Sequence, residues 1–310
     1  FFQWVAYIPC DGEPIGGGVP PGQVPILEDV DWPVAYTNYA EKALRKTIRD
    51  REFLTRLRTV YHGVDTKVYF PPEPEWRRRA RRSFGIGDDQ FVFLTVARNQ
   101  SRKCIPELFR AWKIVSESPE ARGRAFLWPH MFFQDTAGWN LDHLIDQLGL
   151  RNNTIIYYDK VAHARHEMAL MPEEEIAKLY RIADAFILIS GEGFGLPTLE
   201  AMASGLPCIL IDYAASSELG AEGRAEMIRV TDFSTWTGMH LTQRPMPDPE
   251  TVAKSMLGVM KDGERRRATA RAGYEWAIQQ TWQKAVGEFN AVMMDMEVPF
   301  LRPQALEVIA

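Results

Sequence analysis

The chain has 310 residues, enough for one large or two medium domains, with 46% hydrophobic and 25% charged residues, as in ordinary globular proteins. Its formal net charge of −5 gives no electrostatic reason to expect nucleic-acid binding. No stretch approaches the ~18 consecutive apolar residues of a membrane-spanning helix, so we expect no transmembrane segment. The cysteines Cys10, Cys104 and Cys208 are widely separated, which favours a reducing compartment over a disulfide framework.

The first 65 residues have the pattern of the end of an α/β domain. The chain begins Phe1-Phe2-Gln3-Trp4-Val5 without a basic leader, so we expect a strand that continues from an upstream segment rather than a signal peptide. The patterns predict strands at 4–8, 33–37 and 59–62, and a helix over 39–46 capped by Asn38.

Residues 66–90 are predicted to form a linker rich in proline. It contains a basic run, Trp76-Arg77-Arg78-Arg79-Ala80-Arg81-Arg82. We interpret this run as the solvated face of a helix, and a patch for an anionic ligand is the alternative.

From residue 91 onward, short apolar strands alternate with helices. Such continuous apolar runs are typical of strands that helices cover on both faces, which predicts a doubly wound parallel sheet over residues 91–280. The strands are expected at 91–96, 125–128, 154–158, 185–189, 208–211 and 226–230, and a last helix at 281–296.

The most informative segment is a glycine-rich turn after the strand at 185–189. Pro197 occupies the expected first position of a helix, where proline is preferred. Free backbone N–H groups near Gly195, Leu196, Thr198 and Leu199 are expected to form an anion site at the helix N-terminus.

Two carboxylates frame this turn, Glu192 and Glu200, with seven residues between them. Carboxylates accept hydrogen bonds from paired hydroxyls, so a phosphate site flanked by both suits a nucleotide sugar. The simpler alternative is that the charge of Glu200 merely complements the helix N-terminus. In the loop after the strand at 91–96, Arg98 and Lys103 offer two cations for a diphosphate.

The segment Glu192-Gly-Phe-Gly-Leu-Pro-Thr-Leu-Glu200-Ala-Met-Ala-Ser-Gly-Leu-Pro207 resembles the signature of retaining glycosyltransferase family 4, which has the GT-B fold of two Rossmann-like domains. The spacing of Arg98 and Lys103 is similar to that family, and so is Val60-Tyr-His-Gly-Val-Asp65. The resemblance implies a partial N-terminal, acceptor-side domain at 1–65 and a complete nucleotide-sugar domain at 91–280. Residues 281–310 would form a crossover helix and tail.

The resemblance also implies a role for each matching residue. Glu192, Arg98 and Lys103 would be catalytic, the two cations holding the donor diphosphate, and Glu200 would bind the ribose. Further donor-binding positions would be Gly193, Phe194, Gly195, Leu196 and Thr198, with Lys160 and Val161 beside the base. The leaving diphosphate would help to deprotonate the acceptor while the basic pair stabilises its charge.

The implied substrates are a UDP- or GDP-sugar and a hydroxyl acceptor, either a glycan, a lipid-linked molecule or another compound. Transfer would retain the anomeric configuration and require neither a metal nor a cofactor. We expect a cytoplasmic protein, and leave open peripheral association with the inner face of a membrane and a homo-oligomer. Asp11, at the end of the first strand, is either an acceptor-side group lining the cleft or a turn residue before Gly12.

Two other function classes stay open at this point. Gly191, Gly193 and Gly195 follow a strand, and Asp212 ends the next one, as in an NAD-dependent oxidoreductase, although Thr198 replaces the third glycine. A non-catalytic binding or structural protein of the same fold is the second alternative. The sequence Asp29-Val30-Asp31 is interpreted as a turn, and His163 with His166 as a polar loop rather than a metal site.

Overall fold

Two parallel sheets form the framework of the chain in a computed structural model, which describes residues 3–155, 171–235 and 241–296. The first sheet has the strand order β1-β2-β3, and the second has the order β5-β4-β6-β7-β8. The strands are β1 Val5–Ile8, β2 Trp32–Ala35, β3 Arg58–Thr59, β4 Phe91–Val96, β5 Ala125–His130, β6 Ala185–Leu188, β7 Cys208–Ile211 and β8 Ala225–Ile228. A short antiparallel hairpin, β9 Phe233–Thr235 and β10 Gln243–Pro245, follows the second sheet.

The helices lie between and after these strands. They are α1 Val24–Glu28, α2 Asn38–Thr47, α3 Arg51–Arg56, α4 Pro74–Ser83, α5 Ile105–Glu117, α6 Leu141–Leu148, α7 Glu173–Ile182, α8 Leu196–Ala203, α9 Ala215–Leu219, α10 Pro249–Lys261, α11 Gly263–Ala277 and α12 Trp282–Asp295. Helix α2 begins one residue earlier than predicted. Its cap is Thr37, whose Oγ1 accepts a hydrogen bond from Ala40 N at 3.1 Å, and not Asn38.

Strand residues of the second sheet alternate between two hydrophobic cores, one on each face. Phe93 and Ile187 contribute to the core that contains α5 and α10 residues. Leu94 and Phe186 contribute to the core that contains α7 and α8 residues. Burial on both faces explains the continuous apolar runs, and the prediction of an α/β chain with Rossmann-like sheets is confirmed.

Strand order places the carboxyl ends of β4 and β6 side by side, with β5 on the far side of β4. In such sheets, ligands usually bind in the crevice at the point where the strand order reverses direction. Beyond β5, Thr154 forms a parallel bridge with Leu127. The rest of the strand predicted at 154–158 lies largely outside the described residues.

Helix α12 packs against the first sheet. Its buried residues Ala285 and Val292 share a core with Trp32, Val34 and Val60. Gly63 allows the chain to approach the start of α12, because an added Cβ would lie 2.1 Å from Trp282 N.

The basic run of helix α4 is only partly solvated. Arg81 is 1% exposed and donates to Asp184, as does the partly buried Arg77. Arg81 also donates to the carbonyls of Ile182, Gly87 and Gln90. The expectation of a solvated helix face is therefore corrected, because Arg77 and Arg81, four residues apart, face the end of helix α7.

Candidate functional site: the cleft between the two sheets

A cavity of about 610 Å³ lies between the loop after β1 and the turn after β6. One wall of the cavity comes from strand ends of the first sheet and the loop that follows β1. The predicted glycine-rich turn after β6 forms the opposite wall. Residues that line the cavity include Pro9, Asp11, Tyr36, His62, Arg102, Glu192, Gly193, Phe194, Gly195, Leu196 and Arg244.

Glycines allow the turn after β6 to press against the loop after β1. An added Cβ at Gly191 would lie 2.6 Å from Asp11 O, and one at Gly193 would lie 2.9 Å from Pro9 Cβ. Gly195 has a φ of 100°, a left-handed conformation that starts helix α8 and disfavours other residues. The sequence pattern predicted a glycine-rich turn here. The close approaches at Gly191 and Gly193 and the left-handed φ of Gly195 are the reasons why these positions require glycine.

The N-terminus of helix α8 faces the cavity with fewer free donors than predicted. The N–H groups of Thr198 and Leu199 donate to Gly195 O at 2.9 and 3.2 Å, so they are not open to a ligand. Within the described residues, the N–H groups of Gly195 and Leu196 have no hydrogen-bond partner. The Thr198 hydroxyl, 1% exposed, also has none and lies near Gly195. A buried hydroxyl beside two open N–H groups suits an anionic ligand.

Glu192 is held from two sides at the edge of the cavity. Lys103 Nζ donates to its Oε1 in a close ion pair, and Ser190 Oγ donates to the same oxygen at 2.6 Å. The Lys103 and Glu192 side chains are 8% and 10% exposed. Burial lowers the pKa of Lys103, and the Glu192 carboxylate opposes that shift.

The predicted partnership of Arg98 with Lys103 is not present in this structure. Arg98 is 60% exposed and its Nε donates to Asp135 Oδ2 at 3.0 Å. Its neighbour in the same loop, Arg102, lines the cavity instead and donates from Nη1 to Gly191 O at 3.2 Å.

Asp11 lines the cavity and faces two arginines. Its Oδ2 lies 3.5 Å from Arg102 Nη1 and 3.1 Å from Arg244 Nη1. Arg244 also donates to Asp11 O at 3.0 Å. The sequence left Asp11 open between a cleft residue and a turn residue, and the structure places it on the cleft wall. Arg244 was not singled out, since it comes from the hairpin β9–β10, which has no motif.

An aromatic cluster that sequence reasoning missed surrounds His62 on the opposite wall. His62 Nδ1 lies 2.9 Å from Tyr7 Oη, and its ring centre lies 4.7 Å from that of Phe194. Burial lowers the pKa of His62 to about 4, so the ring is neutral near pH 7. Its position between Tyr61 and Gly63, inside the motif at 60–65, was the available signal.

Glu200 lies on helix α8 but does not line the cavity. Its Oε2 accepts a hydrogen bond from Tyr180 Oη at 2.7 Å. Burial is the main cause that raises the pKa of Glu200 to about 7, and the hydrogen bond from Tyr180 opposes it. Lys160 and Val161, predicted beside the base, lie outside the described residues, as do His163 and His166.

No group of three or more His, Cys, Asp or Glu side chains in residues 3–155, 171–235 and 241–296 is arranged to hold a metal ion. In the same parts of the chain, no helix is both long enough and apolar enough to span a membrane.

A family model described as "Glycosyl transferases group 1" matches residues 77–276, which include Lys103, Glu192 and Glu200. The chain belongs to this glycosyltransferase family. Membership agrees with the resemblance carried by the segment from Glu192 to Pro207, and it decides against the NAD-dependent oxidoreductase.

Two relatives of this chain indicate the range of the family. Mannosylfructose-phosphate synthase from Agrobacterium fabrum is 30% identical over 154 residues, covering 48% of this chain and 31% of the relative. N-acetyl-alpha-D-glucosaminyl L-malate synthase from Bacillus anthracis is 24% identical over 244 residues, covering 77% of this chain and 54% of the relative. The chain therefore spans about a third to a half of these proteins.

Solved structures show the same GT-B fold. Sucrose-phosphate synthase from Thermosynechococcus elongatus superposes with a TM-score of 0.70 at 18% identity, over 95% of this chain and 68% of that one. The Anabaena protein Alr3699/HepE, solved in complex with UDP-glucose, has a TM-score of 0.70 at 16% identity, over 95% and 72%.

Proposed function

We propose that this protein transfers a sugar from a nucleoside-diphosphate sugar to an acceptor hydroxyl, with retention of anomeric configuration and without a metal. The observation that carries the proposal is the meeting of two features at one cavity. The buried pair of Lys103 and Glu192 lies beside the open N-terminus of helix α8, where the Thr198 hydroxyl lacks a partner.

In this proposal the donor lies along helix α8. The diphosphate accepts hydrogen bonds from the N–H groups of Gly195 and Leu196 and from Thr198 Oγ1, in the favourable field of the helix N-terminus. Glu192 accepts hydrogen bonds from hydroxyls of the donor sugar, with its carboxylate oriented by Lys103 and Ser190. Glu200 accepts hydrogen bonds from the ribose, for which it must turn away from Tyr180.

The proposed reaction places the acceptor hydroxyl on the same face of the sugar as the leaving diphosphate. Negative charge develops on the diphosphate oxygen, which takes the proton of the acceptor hydroxyl as the new glycosidic bond forms. Preorganised donors at the start of helix α8 and the charge of Lys103 stabilise that oxygen. Arg98 contributes in this account only after its pairing with Asp135 is broken.

The relatives support a nucleoside-diphosphate sugar as the donor without identifying the base of the donor or the acceptor. The Anabaena protein was solved with UDP-glucose, which supports a UDP-sugar, and a GDP-sugar stays open for this chain. The relatives include a mannosylfructose-phosphate synthase and an N-acetyl-alpha-D-glucosaminyl L-malate synthase. Glycans, lipid-linked molecules and small hydroxyl compounds therefore all stay candidate acceptors.

The test is turnover with a panel of UDP- and GDP-sugars. We expect release of one nucleoside diphosphate, in the presence of EDTA, and an anomeric proton coupling in the glycoside product that matches the donor. Glu192→Gln is expected to abolish release, whereas Glu222→Gln, whose side chain is 83% exposed, serves as the matched control. Donor binding without release for any acceptor tried would favour the non-catalytic alternative.

A further inference from the structure

Two arginines of the second sheet's part of the chain converge on one carboxylate from the loop after β1. Arg102 lies in the loop after strand β4, and Arg244 lies on strand β10. Both reach Asp11 Oδ2, at 3.5 and 3.1 Å. All three side chains line the cavity that contains Glu192 and Gly195.

The polar contacts of Arg102 leave capacity for a larger anion. Within the described residues, Arg102 makes its contacts with Asp11, Gly191 and Glu192 through Nη1, at 3.5, 3.2 and 3.9 Å, and none of these contacts uses its Nε or Nη2 donors. A guanidinium presents five donors in a planar fork that fits phosphate oxygens in pairs. The Asp11 carboxylate therefore satisfies only part of what the Arg102 guanidinium offers.

The cavity also lacks the cation that the motif predicts for it. Arg98 is paired with Asp135 on an exposed loop, and Lys103 lies behind Glu192 without lining the cavity. Among residues 3–155, 171–235 and 241–296, the cations that line it are Arg102 and Arg244. A diphosphate carries more negative charge and more acceptor oxygens than one carboxylate, so both arginines gain by exchanging Asp11 for it.

We propose that Arg102 and Arg244 form a clamp for the donor diphosphate, and that Asp11 is the internal counterion that the diphosphate displaces. This inference rests on the proposed function, because it assigns further residues to the same donor site. The exchange requires only that the Asp11 side chain move. Its neighbour Glu13 stays attached to the hairpin through its carbonyl, which accepts from Gln243 N at 2.9 Å.

The test is calorimetric titration with UDP, GDP and ADP, and with the matching nucleosides, which lack phosphate. Arg102→Gln and Arg244→Gln are each expected to weaken binding of the preferred diphosphate about tenfold or more, the loss typical of one charged hydrogen bond. Asp11→Asn is expected to tighten it at least threefold. Affinity for the nucleoside should stay unchanged in all three variants, which also shows that they are folded.

Glu218→Gln is the matched control for Asp11→Asn. Glu218 joins the two parts of the chain outside the cavity by accepting from the N–H groups of Asn38 and Tyr39 at 3.1 and 2.9 Å. If Glu218→Gln tightens diphosphate binding as much as Asp11→Asn does, looser contact between the two parts is the cause and the inference is wrong. Unchanged diphosphate affinity in Arg244→Gln also overturns it. If the parent chain binds none of the three diphosphates, the proposed function fails and the inference fails with it.

Discussion

The ammonium group of Lys103 lies against the carboxylate of Glu192, and both side chains are about nine-tenths buried. Lys103 follows strand β4 and Glu192 follows strand β6, and these strands are neighbours in the second sheet. The pair therefore joins the two loops that border the crevice at the reversal of strand order. Because neither group is well solvated, removing either one leaves a buried charge without its partner.

Lys103→Met is expected to lower the free energy of unfolding by about 3 kcal/mol, because it leaves the Glu192 carboxylate buried without its counter-ion. Adding Glu192→Gln to that variant should recover part of the loss. Denaturant unfolding of the parent, both single variants and the double variant measures this coupling. Lys113→Met is the control, since Lys113 is 41% exposed in its pair with Glu117 and should cost less than about 1 kcal/mol. Equal losses at both lysines would contradict the account.

The Glu200 carboxyl is expected to make stability fall as the pH rises. Its pKa is raised from 4.5 to about 7, so between these values the folded chain binds the proton more tightly than the unfolded chain does. The stability that protonated Glu200 contributes is present below about pH 4.5 and is lost as the pH rises through about 7. Relative to Glu200→Gln, the parent should lose on the order of 3 kcal/mol between pH 5 and pH 8.

This comparison cancels the contributions of the partly buried His62 and the buried His130. Their pKa values are lowered to about 4, so they act in the opposite direction and weaken folding as the pH falls from 6.5 toward 4. Both are present in the parent and in the Glu200→Gln variant. Parallel curves of unfolding free energy against pH for the two proteins would show that Glu200 is not the titrating group.

Arg81→Met is expected to destabilise the fold by about 3 kcal/mol or more without changing affinity for a nucleoside diphosphate. The substitution leaves Asp184 and three carbonyl groups without the donors that Arg81 supplies. Arg78→Met is the control, because Arg78 is 51% exposed and should change stability by less than about 0.5 kcal/mol. Weaker nucleotide binding in Arg78→Met would favour the anionic-ligand patch over the structural role.

Gly191→Ala is expected to lower stability by about 1–3 kcal/mol and to weaken nucleotide binding, because its Cβ would collide with Asp11 O and force the turn outward. Gly258→Ala in helix α10 is the matched control, since nothing lies within 4 Å of an added Cβ there. Alanine at that position should raise stability by about 0.5–1 kcal/mol. Thermal unfolding and titration of both variants measure the contrast, and an unaffected Gly191→Ala would show that the close approach is not required.

The parts of this fold that were predictable depend on local chemistry. The buried strands were visible as continuous apolar runs, and the start of helix α8 was visible because Gly195 and Pro197 suit the turn and the first helical position. The parts that were not predictable depend on distant partners. Arg98 donates to Asp135, 37 residues along the chain, and does not line the cavity. Arg81 donates to Ile182 O and to Asp184, which lie 101 and 103 residues along the chain.

The residues of the cleft also include some that the sequence predicts and some that it does not. Glu192 and Lys103 were identified from a motif, because their spacing after two strands is a local property. Arg244 was not, since the hairpin β9–β10 has no pattern that indicates a position next to Asp11, 233 residues earlier. The number of free N–H groups at helix α8 was overestimated, because the Gly195 carbonyl accepts from both Thr198 and Leu199.

Whether the cleft binds a nucleoside-diphosphate sugar is measured most directly by calorimetric titration of this chain with UDP, GDP and NAD beside the Glu200→Ala variant. We expect that one nucleoside diphosphate binds, that Glu200→Ala weakens this binding about tenfold or more, and that NAD does not bind. Binding of NAD alone, or nucleoside-diphosphate binding that Glu200→Ala leaves unchanged, would show that the proposed donor site is wrong.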